Sequence, residues 1–449
     1  MILLYIFSAL VIIIINILSG ELSTLFLSII IYIVGLLYSI KVPTEKRNYS
    51  IKLFFVVYTV YVISAYIFSI SFQNGQHFLL SDPLSFIERS NFYNPNYDNF
   101  SALYNSYIGF SDSNELYNLY LKYMVFLGNN YLGGTNIFYI TLLHSCFGIL
   151  SSAVLFRVLL LSFNDRKAYY YTLIFSIFSV IHFYSSVIIR DIIILYFYLL
   201  GLEIVIQRFS KKRLIFLIFY CIVILGIRLY SGLYFFTFII LYIYIHLKES
   251  RFRFISMLLF FLFLVLIILS SQFLLDLSIN ELNIYDQYST TRSQDLGGLS
   301  SYLINLPNGI KQIVLTLYSQ FHPFPPYAPL KDASTFSQLY MSSVVFLYSI
   351  FWAFIFFPLL VLLFSKHCFL KMSLLDKLLL IISIMFITIN TIQIDIRRMM
   401  PVYPILYMIY LKVRYENFTL SYIRKINVAL SYITCFALAL YLLIKLNHV

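Results

Sequence analysis

The chain has 449 residues, of which 61% are hydrophobic and 11% charged, against about 25% charged residues in an ordinary soluble domain. That composition excludes a soluble globular enzyme, and the lack of polar/apolar alternation in the apolar runs excludes a transmembrane β-barrel. The net charge of +12, from 31 Lys and Arg against 19 Asp and Glu, taken alone would fit nucleic acid; the placement of the charges removes that reading.

Hydropathy predicts one integral all-α domain over residues 1–449, a polytopic transmembrane bundle of about 11–13 spans. In chain order the expected spans are 2–18, 22–40, 53–71, 136–160, 168–189, 192–207, 214–228, 231–246, 254–274, 342–364, 378–394, 400–413 and 428–445. The first lacks a basic n-region and a small-residue cleavage site, so it reads as a retained span with a cytoplasmic amino terminus. Two long segments interrupt the series, 72–135 and 275–342, and each is too long for a simple connection. Within them Leu116 to Leu127 and Gly309 to Phe321 are expected to form helices lying on the outer membrane surface.

Basic residues crowd every second connection. They include Lys41, Lys46, Arg47 and Lys52, then Arg166 and Lys167, then Arg208, Lys211, Lys212 and Arg213, and later Lys248, Arg251, Lys371, Lys377, Lys412 and Arg414. By the positive-inside rule these connections are cytoplasmic. The alternate ones hold most of the acids, among them Asp82, Glu88, Asp98, Asp276 and Asp332, and face outward. The 41 Tyr and 45 Phe predict aromatic girdles at the interfaces and stacking surfaces in a cavity. Phe92, Tyr93, Tyr97, Tyr104, Tyr107, Phe324 and Tyr327 in the long segments suit sugar rings or the interface. Cys146, Cys221 and Cys435 fall in apolar spans and Cys368 in a cytoplasmic connection, so no outer disulfide is expected.

The region from Ala168 to Ile245 is the most informative, because its outward turns are short and carry Arg190-Asp191 and Arg228. From Arg213 to Arg228 a helix rises only about 22 Å, short of the ~30 Å apolar layer. Arg228 should therefore sit beneath the outer surface, either in a cavity that takes an anion or paired with a neighbour such as Asp191. Arg190 precedes one expected helix, Arg228 a second that follows Ser231-Gly232, and Arg397 and Arg398 a third that Pro401 helps to start. Three helix amino-termini beside arginines favour a diphosphate, through exposed N–H groups, the positive dipole end and the planar guanidinium fork. The competing reading is that Asp191 and Asp395 merely neutralise the adjacent arginines.

A long outer segment, the stretches SSVIIRDIIILYF and ILGIRLYSG, and a late IDIRRMMPVYP together resemble bacterial O-antigen (oligosaccharide repeat unit) polymerases and related multi-span polysaccharide polymerases. Arg190 to Gly201 also matches the Arg-x10-Gly motif of some members, inside a span; at Arg292 the corresponding position is Leu303. The resemblance covers nearly the whole chain in topology. It implies transfer of a growing glycan from an undecaprenyl diphosphate carrier to another lipid-linked repeat, at the periplasmic face of the bacterial inner membrane, in lipopolysaccharide or other surface polysaccharide biosynthesis. The implied partners are the lipid-linked oligosaccharide, membrane lipids, and a chain-length regulator and flippase of the same pathway. No nucleic acid, cofactor or metal is expected, since GxxxxGK, HExxH and CxxC are missing from the sequence.

In that reaction Arg190, Arg228, Arg397 and Arg398 would bind the leaving diphosphate, with Arg190 and Arg228 also acting at the reacting bond. Asp82 is the leading proton acceptor for the sugar hydroxyl, with Glu88 and His322 behind it. Each has an ordinary reading as well. Asp82-Pro83 is a good helix start, and His322 sits in HPFPP, a chain held extended by proline. His182 either reaches the same cavity or is a hydrogen-bonded histidine within a span. Arg157 and Glu203 are expected to snorkel at inner helix ends. Two rival functions are a lipid-linked oligosaccharide flippase, which would place its charges near the midplane, and a polyprenyl-phosphate-dependent glycosyltransferase or ligase.

Overall fold

A computed structural model describes residues 2–73, 82–89, 115–247, 310–320, 328–331, 333–364, 372–390 and 396–417, with isolated positions 369, 425, 428, 429 and 432. All regular structure among them is helical. The expected span 254–274, all of 428–445 but three isolated positions, His322, Asp395, and the aromatic residues from Phe92 to Tyr107 and at Phe324 and Tyr327 lie outside the described residues.

Helices α1 (Ile2–Ser19) and α2 (Leu22–Ile40) form a hairpin turned at Gly20, whose φ of 74° suits glycine. Polar side chains tie it: Asn16 Nδ2 donates to Ser28 Oγ at 3.0 Å, and Tyr58 Oη to the Ser28 carbonyl at 2.8 Å. The centre is a pair of long helices, α3 (Arg47–Gln73) and α6 (Ile137–Leu160). Between them come α4 (Asp82–Arg89) and α5 (Glu115–Tyr131); after them follow α7 (Asp165–Phe178), α8 (Val180–Ser185), α9 (Asp191–Ile206), α10 (Lys211–Ile227) and α11 (Leu229–Leu247). The remainder is α12 (Ile310–Ser319), α13 (Ala328–Lys331), α14 (Phe336–Phe364), α15 (Leu374–Asn390), the single turn α16 (Ile396–Met399), a 3-10 turn at Met400–Val402 and α17 (Tyr403–Asn417).

Five described helical stretches are long and apolar enough to cross a membrane: Leu22–Ile40, Thr44–Phe72, Ile137–Leu160, Leu229–His246 and Phe336–Leu360. Their neighbours expose apolar side chains that water would not tolerate as a continuous face, such as Ile17 at 72% and Ile222 at 61%. The buried aromatic rings depart from the girdle expectation. Tyr58, Tyr61, Tyr198 and Phe235 are fully enclosed and knit helices together, with Tyr198 packing edge-on against Phe235, Phe238 and Phe386.

Three further expectations are corrected. The span 168–189 is not continuous: Ser179 is extended (φ −97°, ψ 171°), ending α7, and its hydroxyl accepts from the Ile181 N–H to start α8. Leu116 to Leu127 does not lie flat on a surface but packs antiparallel to the first half of α6. Tyr117 Oη bonds His144 Nε2 at 2.7 Å, Tyr139 Oη donates to the Met124 carbonyl and Thr135 Oγ1 to Asn129. Arg157 and Glu203 do not snorkel separately. They form a two-pronged pair with both N–O distances 2.7 Å, and Tyr38 Oη accepts the same guanidinium at 2.8 Å.

The packing sets a depth scale. His144 lies seven residues after the start of α6 at Ile137, so its partner Tyr117 is about 10 Å along the bundle from that end. Leu116 in turn touches α10, since a Cβ on Gly226 would come within 3.0 Å of it. The α10–α11 turn thus lies recessed from the α6 amino-terminal end.

Gly232, one turn into α11, faces the backbone of α10: a Cβ there would stand 2.7 Å from Leu225 Cα. Because backbone cannot rotate aside, Gly232→Ala is expected to part the two helices and to destabilise the protein by about 1–3 kcal/mol. Thermal unfolding of the detergent-solubilised protein checks this, and an unchanged midpoint would show that the approach is not required.

Candidate functional site

Arg228 is the lone extended residue between α10 and α11 (φ −157°, ψ 114°). Its N–H donates to the Ile224 carbonyl at 2.7 Å, ending one helix, and its carbonyl accepts from the Gly232 N–H at 3.1 Å, beginning the next. The sequence reading put the second helix start after Ser231-Gly232; the structure starts it at Leu229, so both residues are helical. Tyr198 Oη donates to the Ser231 carbonyl at 2.7 Å. That bond fixes the first turn of α11 against α9, a contact that nothing in the local sequence around Tyr198 announces.

Opposite Arg228 stands the amino-terminus of α9. Arg190 caps it without a side-chain bond, and Asp191 occupies its first turn, where a carboxylate suits the positive end of the helix. Asp191 is 1% exposed and Arg228 9%. Arg228 Nη1 donates to Asp191 Oδ1, so the pairing alternative raised for Arg228 is realised. Arg228 Nε is also buried, with no hydrogen-bond partner among the described residues. Arg190 is half-buried, and among the described residues its Nη1 donates to the Ile227 carbonyl at 3.5 Å.

Arg397 and Arg398 arrive from far along the chain. They sit in the single turn α16, half-buried, followed by the fully buried Met399 and Met400. The 3-10 turn Met400–Val402 packs on α9, which carries the two arginines to the same end as Asp191. Their charges act on both Arg190 and Arg228, and that of Arg397 also on Asp191. Four guanidiniums from three separate chain segments therefore come near enough to act on one another, with Asp191 among them. Helix amino-termini open there at α9 and α11. The third expected helix, α17, begins later than its arginines, at Tyr403.

Among the described residues, four guanidiniums and the Asp191 carboxylate act on one another here. Like charges held this close, with little water around them, repel strongly. An anion relieves that repulsion, and a two-phosphate group matches several guanidinium forks better than a single carboxylate does.

The other candidates divide. Asp82 starts α4, as the Asp-Pro helix start requires, and α4 docks on α5 through an edge-on contact of Phe86 with Tyr117 at 4.8 Å. The carboxyl groups of Asp82 and Glu88 lie outside the described residues, as does His322. His182 turns away from the arginines. Its Nδ1 faces the Ile177 carbonyl at 2.9 Å, its Nε2 meets Ser64 Oγ at 2.8 Å and its ring stacks on Tyr61, which makes it a packing histidine. Gly201 lies inside α9 and lets it approach α11, with Phe235 only 2.5 Å from where a Cβ would be. No family model, curated protein or solved structure matches this chain.

Asp191→Asn leaves Arg228 buried without its counter-charge and is expected to cost about 3–5 kcal/mol, whereas adding Arg228→Gln to it should restore part of the loss. Thermal unfolding of the single and double variants measures the coupling. Equal stability of Asp191→Asn and the unaltered protein would remove the pair from the framework of the site.

Proposed function

We propose that this protein is a surface-polysaccharide polymerase of the O-antigen type, joining undecaprenyl-diphosphate-linked oligosaccharide repeats at the periplasmic face of the inner membrane. The observation that carries the reading is the approach of Arg190, Arg228, Arg397 and Arg398 to one another, brought about by the Asp191–Arg228 pair and by the packing of the Met400–Val402 turn on α9. In the reaction the bond between the sugar C1 and the diphosphate oxygen breaks, the electron pair stays on the leaving diphosphate, and the acceptor hydroxyl oxygen bonds to C1. Arginines fixed in advance stabilise the charge that develops on the leaving group, with no reorganisation needed at that moment. The hydroxyl proton passes to a base on an outer segment. Asp82 is the first choice, because Phe86 on the same short helix packs on Tyr117, beside the Leu116–Gly226 contact that leads to Arg228. Glu88 and His322 are the reserves.

The distribution of basic residues supports an outward-facing site: Arg166, Lys211, Lys212, Arg213, Lys412 and Arg414 stand at the opposite ends of their helices from the arginine recess. The depth of the recess favours a polymerase over a flippase, since it lies toward one end of the bundle and a transporter concentrates its charges near the midplane. A glycosyltransferase adding one sugar from a polyprenyl phosphate, or a ligase, would use the same helix-end chemistry.

A deletion strain separates these functions by gel. Single-repeat glycan on lipid A indicates a polymerase, carrier-bound glycan left facing the cytoplasm a flippase, and long unligated chains a ligase. In a complemented strain Arg190→Ala is expected to reduce chain extension by at least about 100-fold at unchanged membrane level, whereas Arg228→Ala, which strands the buried Asp191 carboxylate, should lower both chain extension and protein level. Arg190→Lys should fail as well, because ammonium offers a point charge in place of a fork. Normal ladders from the arginine variants would take those side chains out of the reaction, and full activity of Asp82→Asn would exclude it as the base.

A further inference from the structure

The turn that bears Arg397 and Arg398 is too short to hold itself, and among its anchors are side chains from two other parts of the chain. Met399, the next residue, is fully buried, and Gln320 Nε2 donates to its sulfur at 3.2 Å and to Ser319 Oγ at 3.2 Å. The other end of the same amide is also engaged, since Gln320 Oε1 accepts from Trp352 Nε1 at 2.9 Å. Trp352 lies flat on Tyr403, the first residue of α17, with ring centres 3.9 Å apart. Gln320 is 1% exposed and Trp352 3%. One amide thus grips the arginine turn from the α12 side while the indole it holds grips the start of the following helix.

We infer that Gln320 and Trp352 are positioning residues for Arg397 and Arg398, and that through Gln320 helix α12 is coupled to the arginine cluster. The proposal rests on the polymerase reading only in naming diphosphate as the anion. Neither side chain touches the ligand. A buried amide satisfied at both ends has one orientation, so it transmits a displacement of α12 to Met399 and thereby to the two arginines preceding it.

Two measurements on the purified full-length protein test this. The first needs no ligand. Amide hydrogen exchange of residues 396–403 is expected to quicken about fivefold or more in Gln320→Met, which fills the same space without polar atoms, while amides of α6 keep their rate. Trp352→Phe keeps the stacking and loses the donor, so it should give a smaller change. Unaltered exchange at 396–403 in Gln320→Met would overturn the inference, as would equal quickening throughout the protein.

The second uses farnesyl diphosphate as the probe and the emission of Trp352, the sole tryptophan of the chain. Binding should alter that emission, and Gln320→Met should weaken the affinity about fivefold, with Gln320→Glu, which keeps the acceptor for the indole, falling between. If the unaltered protein and Gln320→Met bind the probe equally, measured by an independent method, the coupling is refuted while the polymerase reading survives. If the unaltered protein does not bind the probe, that reading fails, and the exchange measurement still decides the anchoring.

Discussion

The arrangement depends on a single buried ion pair. Asp191 and Arg228 come from the beginnings of two helices and are both nearly sealed from solvent. Charges so placed are tolerable only together. Their pairing fixes the amino-terminus of α9 against the α10–α11 turn, and every other basic residue of the recess is arranged around it. The pair thus holds this turn in shape beside Arg190, Arg397 and Arg398.

A recess of this kind needs helices that stop inside the bundle. Arg228 interrupts α10 and α11 with a single extended residue, Ser179 breaks the stretch before α9, and α5 begins well below the end of α6. Each interruption frees backbone groups that an apolar environment would penalise. They are met locally: the Arg228 N–H and carbonyl are both bonded, and the Ser179 hydroxyl caps α8. Glycine permits the backbone approach beside Arg228, at Gly232 against Leu225.

Aromatic side chains supply much of the rigidity that such interruptions remove. Tyr198 locks α11 to α9 through its hydroxyl, Tyr117 joins α5 to His144, and Trp352 stacks on Tyr403. A ring with a polar tip buries a large area and still satisfies a hydrogen bond. This explains why a chain with 41 Tyr uses many of them in its interior and not only at interfaces.

Composition and hydropathy by themselves determined the helical, membrane-spanning class. The short distance between Arg213 and Arg228 implied that the latter is set within the protein, because helix rise per residue is fixed, and Arg228 is indeed buried. The same local logic marked Arg190 and Asp191 as a helix start. What the linear pattern could not contain is partnership: Arg157 meets Glu203, Gln320 meets Met399, and His182 faces Ser64, each pair being brought together by packing between remote segments. The flat placement expected of Leu116 to Leu127 failed for a related reason, since an apolar face looks the same whether a lipid surface or α6 receives it. Tertiary structure alone decided that Arg397 and Arg398 join Arg190 and Arg228, because charge at a distant sequence position acquires a neighbour only when the helices between them have packed.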